Sequence, residues 1–133
     1  MIKPKVIDHI VLRTDRYQDL IDFYCNVLGC NVERTSSESG LTQLRAGNAL
    51  IDIVDVDGKL GKSGGAAPQE TGNNIDHFCL QIEPFEEHKL KAYLEECGVA
   101  CGEFQDRYGA QGMGRSIYLK DIAGNNIELR SVV

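Results

Sequence analysis

The chain of 133 residues lacks several features that would each indicate a particular class of protein. It has no run of lysine and arginine and its formal net charge is −6, which argues against nucleic acid or an anionic membrane as a partner. It has no stretch of about 18 apolar residues that could span a bilayer, and its first residues lack the apolar core of a signal peptide. We therefore expect a cytoplasmic protein whose partner is a small molecule rather than nucleic acid or a membrane.

Paired cysteine motifs and a complete phosphate-binding loop are missing as well. The five cysteines are an odd number without a CxxC pair, which favours reduced thiols over a disulfide framework. The GKS segment at 61–63 fails as a phosphate loop because that motif requires a glycine where Val56 stands. We interpret four cysteines, in or just beyond predicted helices, as small core residues: Cys25, Cys30, Cys97 and Cys101.

What the sequence does contain is an internal repeat, because IDHIVL at 7–12 returns as IDHFCL at 75–80. In each copy an alternating, strand-like segment precedes a helical pattern, and three short strand-like segments follow. The pattern predicts two βαβββ modules, at about 1–57 and 75–133, joined by a Gly-rich linker at 58–74. The predicted fold class is α+β, with both modules in a single domain over 1–133 that forms a half-barrel-like mixed sheet around a cavity.

Capping residues predict where the two helices begin and end. Asp15 is the candidate N-cap of the first helix and Gly29 its stop. Pro84 is expected near the first turn of the second helix, and Gly98 at its end. His88 lies in that second helix among Glu and Lys residues, so we interpret it as a solvated side chain.

Alternation along the strands sorts the side chains onto two faces. One face is apolar and is expected to pack on the helix, whereas the other carries His9 in the first copy and His77 in the second. The last strand of each module places Asp52 or Glu128 on that same face. Two imidazoles and two carboxylates form a mixed donor set suited to Zn²⁺, Ni²⁺, Co²⁺, Mn²⁺ or Fe²⁺. The sequence therefore predicts that these four side chains line a metal cavity.

Further polar residues are expected to line the same cavity and to bind the substrate: Arg13, Gln43, Arg45, Tyr118 and Arg115. Arg130 is expected on the opposite side. Arginine forms strong hydrogen bonds with carboxylate and phosphonate groups, so this set favours an anionic substrate.

The two copies differ in length. His9 precedes Asp52 by 43 positions, whereas His77 precedes Glu128 by 51, so the second copy has eight additional residues. They most plausibly lie in DRYGAQGMGR at 106–115, whose three glycines predict a mobile loop that closes over the cavity. The alternative is a plain hairpin in which Arg107, Tyr108 and Arg115 are surface groups without a role.

The segment IDHIVLRTDRYQDLIDFYCNVLGC, followed by SIYLKDIAGNNIEL, resembles the vicinal oxygen chelate superfamily. That superfamily includes glyoxalase I, fosfomycin-resistance thiol transferases, extradiol dioxygenases and metal-free bleomycin-binding proteins. The resemblance covers essentially the whole chain and implies that His9, His77 and Glu128 are metal ligands. Asp52 stands where glyoxalase-type members have Glu, and its side chain is one methylene shorter, which leaves open a site with three protein ligands.

The resemblance implies a metal-dependent lyase or isomerase, similar to lactoylglutathione lyase, acting on a small substrate through two neighbouring oxygens. Glu128 or Asp52 would carry the proton. One alternative is a thiol transferase of the fosfomycin-resistance type with a thiol cosubstrate such as glutathione. Another is an Fe(II) extradiol dioxygenase with Tyr118 as acid and base, and a third is a metal-free protein that binds an antibiotic or other small molecule. A homodimer is expected, with the cavity within one chain or across two.

Overall fold

The computed structural model describes residues 1–132, and its elements follow the same order twice. The first set is β1 (His9–Thr14), α1 (Tyr17–Asn26), β2 (Asn31–Ser36), β3 (Leu41–Ala46) and β4 (Ala49–Asp55). A short 3-10 helix, Gly61–Gly64, lies in the linker. The second set is β5 (Phe78–Ile82), α2 (Glu87–Glu96), β6 (Gln105–Gly109), β7 (Gly112–Lys120) and β8 (Asn126–Ser131). The predicted pair of βαβββ modules is confirmed.

The chain divides into two compact units, and the linker belongs to the first of them. The first unit is Met1–Asn74 and the second begins at Ile75. Each unit has one sheet of four mixed strands, and neither sheet closes into a barrel. Among the described residues, no helix is long and apolar enough to cross a membrane.

In the first unit the strand order is β1-β4-β3-β2, with β1 parallel to β4 and β3 antiparallel to both of its neighbours. Helix α1 packs on β3 and β4. The residues that fill this core are fully or almost fully buried: Leu12, Leu20, Ile21, Phe23, Tyr24, Leu44, Ile51 and Ile53. Burial of each such side chain contributes about 1.5–3 kcal/mol, so the apolar face predicted for β1 and β4 is what holds the sheet to the helix.

In the second unit the order is β5-β8-β7-β6, with the same parallel and antiparallel arrangement. The buried residues of its sheet are Ile117, Leu119, Ile127 and Leu129. Helix α2 is less buried than α1, since Leu94 is its one buried residue and Tyr93 is exposed. Because the two sheets have the same strand order and the same pairing, equivalent positions in the two units can be compared directly.

The predicted helix stops are confirmed but the predicted starts are not. Gly29 and Gly98 have positive φ angles of 73° and 76°, a conformation that ends a helix and that glycine adopts without strain. Asp15 is not the N-cap, because α1 begins at Tyr17 after an Arg16 that makes no side-chain capping bond. The Thr14 hydroxyl accepts the Arg16 backbone N–H and turns the chain there instead.

The other helix start and the cysteine interpretation also need correction. Helix α2 begins at Glu87, three residues beyond Pro84, so the proline precedes its first turn. Of the four cysteines interpreted as core residues, only Cys30 is buried, and Cys97 is exposed. Helix α2 has a narrow buried face centred on Leu94, which leaves the end of the helix at Cys97 in solvent.

The mobile loop predicted at 106–115 is wrong, because this segment forms the hairpin of β6 and β7. Asp106 pairs with Arg115 and Tyr108 with Met113. Two of its glycines make room for Arg130: a Cβ at Gly109 would lie 2.2 Å from the Arg130 Nη1, and one at Gly114 would lie 2.7 Å from Nη2. The glycines therefore allow a buried arginine to lie against the hairpin, and they do not indicate a loop.

Candidate functional site

Each candidate histidine is held by the aspartate that precedes it. The Asp8 carboxylate lies 2.7 Å from the Nδ1 of His9, and the Asp76 carboxylate lies 2.6 Å from the Nδ1 of His77. A carboxylate only accepts hydrogen bonds, so Nδ1 carries the proton and the lone pair of the neutral ring is on Nε2. This is the orientation that a metal-binding histidine needs. Sequence reasoning missed Asp8 and Asp76, although the repeated Asp before His was the available signal.

In the first unit, Asp52 and Gln43 are brought together on β4 and β3. Asp52 is 4% exposed and is paired in register with Gln43. The Gln43 amide donates to both carboxylate oxygens, at 3.2 and 3.3 Å. Hydrogen bonding to Asp8 raises the pKa of His9, and the Asp52 charge raises it further. His9 nevertheless makes no nitrogen-to-oxygen approach of 4.0 Å or less to Asp52 within residues 1–132, so this pair is near but not in contact.

In the second unit, His77, Glu128 and Tyr118 form a tighter group. Glu128 is 5% exposed on β8, and its Oε1 lies 3.7 Å from the Nε2 of His77. The Tyr118 hydroxyl lies 3.2 Å from the same nitrogen, and the two rings meet edge to face with centroids 5.1 Å apart. Tyr118 is paired in register with Glu128, which puts both on the same face of the sheet.

The donors of the second unit fit a divalent metal ion. Two ligands bonded to one ion at about 2.0–2.2 Å are at most about 4 Å apart, and the 3.7 Å between His77 Nε2 and Glu128 Oε1 is within that limit. A neutral imidazole and a buried carboxylate are donors that zinc, nickel, cobalt, manganese and ferrous ions accept. Across the described residues there is no group of three or more His, Cys, Asp or Glu side chains placed to hold an ion. Each unit therefore supplies a pair of donors.

Two of the arginines predicted to bind substrate are engaged by other groups of the first unit. The Arg13 guanidinium donates to the carbonyl oxygens of Gly61 at 2.8 and 3.2 Å, Gly65 at 2.7 Å and Ala66 at 3.3 Å. Arg13 thus ties the linker to β1. Arg45 forms an exposed ion pair with Glu33 at 2.9 Å. Their substrate contacts stay predictions, and each would have to replace a bond that the residue already makes.

Arg115, also predicted to bind substrate, forms an ion pair with helix α2. It has the same parity in β7 as the core residues Ile117 and Leu119, which places it on the face toward α2. Its Nη2 and Nε donate to the two carboxylate oxygens of Glu87 in that helix, at 2.8 and 2.9 Å. Strand alternation explains this position, and the substrate contact of Arg115 stays a prediction that would have to replace the ion pair.

Arg130 lies beside the Glu128 carboxylate, and Arg107 lies over the Tyr118 ring. Arg130 is 4% exposed, and its Nη1 lies 3.7 Å from Glu128 Oε2. Its Nη2 donates to the backbone carbonyls of Gly112 at 3.0 Å and Arg107 at 3.3 Å. The Arg107 guanidinium carbon lies 4.6 Å from the centroid of the Tyr118 ring, a cation–π contact.

The groups that flank Glu128 keep their protons at neutral pH. Burial raises the pKa of the Cys79 thiol to about 12, and the neighbouring Glu128 charge adds to the effect. Burial is also the main cause of a raised pKa at Tyr118, followed by its hydrogen bond to Glu128, while Arg107 acts in the opposite direction. Tyr118 is therefore a hydrogen-bond donor in this group.

Comparisons with known proteins agree with this fold. The family model described as Glyoxalase/Bleomycin resistance protein/Dioxygenase superfamily matches residues 6–129. An integron cassette protein from the mobile metagenome of V. cholerae is 24% identical, with a TM-score of 0.80 over 100% of this chain and 99% of that one. A search of the curated proteins finds no match.

Two solved structures with named activities share the fold at lower identity. Lactoylglutathione lyase from Agrobacterium tumefaciens is 19% identical, with a TM-score of 0.69 over 96% of this chain and 94% of that one. Fosfomycin resistance protein FosX from Mesorhizobium loti is 13% identical, with a TM-score of 0.68 over 98% and 95%. At these identities the likeness concerns the fold.

Proposed function

Because the chain belongs to the Glyoxalase/Bleomycin resistance protein/Dioxygenase superfamily, we propose that it is a divalent-metal-dependent enzyme of the glyoxalase-like type. The proposed ligands are His9, His77 and Glu128, with Asp52 as a fourth. The observation that carries the proposal is the same Asp-to-Nδ1 hydrogen bond in both units, which puts the lone pair of each neutral histidine on Nε2, the nitrogen that would bind an ion. At His77 the ion would replace the contact of Nε2 with the Tyr118 hydroxyl. A histidine that only filled space would not need this bond in both copies.

When bound, such an ion supplies Lewis acidity to two neighbouring oxygens of a small substrate. The residues of the chain supply the proton transfer that a lyase or isomerase reaction needs. Asp52 and Glu128 are carboxylates in sites with little solvent, so one of them can accept a proton from a substrate carbon and return it to the next. Gln43 holds the Asp52 carboxylate in place for this role.

The first test is a metal titration of protein stripped with a chelator, with Zn²⁺, Ni²⁺, Co²⁺, Mn²⁺ and Fe²⁺ followed by calorimetry. We expect at least one ion to bind with micromolar or tighter affinity, and His77→Ala to abolish that binding. His88→Ala is the matched control, because it removes the same type of side chain from an exposed position in α2. Absence of binding by wild type, or unchanged binding by His77→Ala, would contradict the proposal.

The second test addresses the reaction. The metal-loaded protein is offered the thiohemiacetal of an α-ketoaldehyde with glutathione, an epoxide with a thiol, and a catechol with oxygen. We expect turnover of the first substrate class, which would identify the lyase. Turnover of the second or third class alone would replace it with the thiol transferase or the dioxygenase. The Tyr118 hydroxyl, 3.2 Å from His77 Nε2, is the acid–base candidate for the dioxygenase.

A small-molecule binding protein without a metal is the second candidate. It is favoured by the observation that no three His, Cys, Asp or Glu side chains of the described residues are grouped to hold an ion. Metal analysis of the purified protein separates the two candidates. A stoichiometric ion favours the enzyme, whereas no ion even after reconstitution favours the binding protein.

A further inference from the structure

The Arg107 guanidinium lies beside the candidate site, and only part of it is hydrogen-bonded. Its Nη1 donates to the backbone carbonyl and the hydroxyl of Ser116, both at 2.8 Å. Among the hydrogen bonds of the described residues, none uses its Nε or Nη2. These two groups form one side of the guanidinium fork, which is the side that binds an oxyanion through two parallel hydrogen bonds.

Contact with Tyr118 places the Arg107 guanidinium beside the candidate site. Its guanidinium lies over the Tyr118 ring at 4.6 Å, and the hydroxyl of that ring lies 3.2 Å from His77 Nε2. With an ion bound to His77 Nε2 and Glu128, the hydroxyl proton would no longer be taken up by these two groups, and an oxyanion placed here could accept hydrogen bonds from both the guanidinium and the hydroxyl. The anchored ring limits where the guanidinium can go, which lowers the entropy lost when an anion binds.

The charge around this position is also favourable to an anion. Arg107 and Arg130 together balance the two negative charges of Glu128 and Asp76, in a chain whose net charge is −6. A divalent ion bound by Glu128 would add to the positive charge. A local excess of positive charge in an acidic protein attracts anions to that place and to few others.

A hydrogen bond from β8 to its backbone carbonyl holds Arg107 in this place. The Arg130 Nη2 donates to the Arg107 carbonyl at 3.3 Å, and the hairpin can approach Arg130 because Gly109 and Gly114 have no side chain. The hairpin is also the part of the second unit in which its eight additional residues are expected. The first unit has no arginine at an equivalent place, because the pairing of β2 with β3 ends at Ser36 and Leu41 and the equivalent position falls in the turn between them.

We propose that Arg107, together with the Tyr118 hydroxyl, binds an oxyanion group of the substrate, a carboxylate or a phosphonate, that is separate from the two oxygens proposed to reach the metal. This inference rests on the proposed function and names the substrate class for the same site. It also assigns a specificity-determining role to a residue of the hairpin.

The test uses three probes that share one metal-binding catechol: 3,4-dihydroxybenzamide, 3,4-dihydroxybenzoate and 3,4-dihydroxyphenylphosphonate. Their affinities for the metal-loaded protein are measured by calorimetry. We expect wild type to bind one of the anions at least about tenfold more tightly than the amide, the effect of a charged hydrogen-bonded pair. The better of the two anions identifies the group. Because intrinsic catechol affinities differ, the decisive quantity is how this preference changes in variants.

Two substitutions of Arg107 and one control variant measure how the preference for the anion over the amide changes. Arg107→Gln should remove the preference and leave the amide affinity within about twofold, and Arg107→Lys should restore part of it, because the ammonium keeps the charge but lacks the fork. Arg16→Gln, which alters an exposed ion pair with Asp19 near α1, should change neither. A preference that persists in Arg107→Gln, or that is absent in wild type, would overturn the inference.

A separate measurement distinguishes this failure from failure of the proposed function. Metal titration without a probe tests the function alone, and Arg107→Gln should bind metal as wild type does. If wild type binds no metal, inorganic phosphate is titrated into the metal-free protein while the Arg107 Nε–H signal is followed by NMR. A saturable shift supports the oxyanion site without the metal, and no shift overturns it.

Discussion

At the scale of single residues, Asp8 and Asp76 determine what the two imidazoles can do. Each accepts the Nδ1 proton of its histidine, although both carboxylates are largely exposed, at 85% and 94%. Exposed ion pairs contribute little to the free energy of unfolding. Their role is therefore expected in ligand orientation and basicity.

Replacement of Asp76 tests this role. Asp76→Asn should lower the metal affinity by roughly ten- to hundredfold, as is typical when the hydrogen-bond partner of a metal-binding histidine is removed, with little change in unfolding. Calorimetric metal titration and urea unfolding measure the two effects. Asp22→Asn, at an exposed position of α1, is the control. Equal affinities for wild type and Asp76→Asn would show that the contact does not orient His77.

The titration of His9 provides a second prediction at this scale. Asp8 and Asp52 favour the protonated ring and raise its pKa above the ordinary 6.5, so the stabilisation is fully present below about pH 6.5 and is lost as pH rises through the folded pKa. Asp8→Asn should lower the pKa of His9 toward 6.5. An NMR titration of the ring protons in metal-free protein measures it, with wild type and Asp8→Asn compared under the same conditions. An unchanged or higher pKa in Asp8→Asn would contradict the assignment.

At the scale of elements, strand alternation made most of the sheet predictable. The parity of His9 with Val11, and of Ile51 with Ile53, placed the donors and the core on opposite faces, because a strand has a period of two. The same parity placed Arg115 with Ile117 and Leu119, so its position toward α2 could have been predicted as well.

The hairpin of β6 and β7 could not be predicted in this way. The glycines of this segment led to the prediction of a loop. In the structure, Gly109 and Gly114 instead leave space for the side chain of Arg130, which is distant in sequence. The contacts of Arg13 with the linker carbonyls at 61–66 are of the same kind. In both cases a long side chain packs against glycines that lie near it only in the folded chain, so the local sequence pattern does not predict the contact.

Substitution of Gly109 tests that explanation. Gly109→Ala should lower the free energy of unfolding by about 1–3 kcal/mol, because its Cβ would lie 2.2 Å from the buried Arg130 guanidinium. Gly102→Ala is the control, since a Cβ there would meet Tyr118 only at an ordinary 3.8 Å. Urea unfolding measures both. If Gly109→Ala were as stable as Gly102→Ala, close packing with Arg130 would not be the reason for the glycine.

At the scale of the whole molecule, the edges of the two sheets lead to a prediction about assembly. In the described residues β1 and β2 each pair with one strand only, and so do β5 and β6. Unpaired edges are usually covered, and on the β2 edge the apolar side chain of Val32 is 53% exposed. These features support the expected homodimer.

Light scattering coupled to size-exclusion chromatography tests the dimer. We expect a mass of twice 14.7 kDa at micromolar concentration. Val32→Lys, which adds a charge to the β2 edge, should shift the protein toward the monomer if that edge is covered in the dimer. A monomer at every concentration would contradict the expectation.

Because the two sheets have the same strand pairing, residues of one unit have equivalents in the other. Gln43 occupies the position of Tyr118, Asp52 that of Glu128, and Val11 that of Cys79, so one copy serves as a template for the other. Exchanges such as Gln43→Tyr or Asp52→Glu introduce side chains that an equivalent backbone already accommodates. A small library restricted to these exchanges should therefore contain a larger fraction of folded variants than random substitution at the same positions.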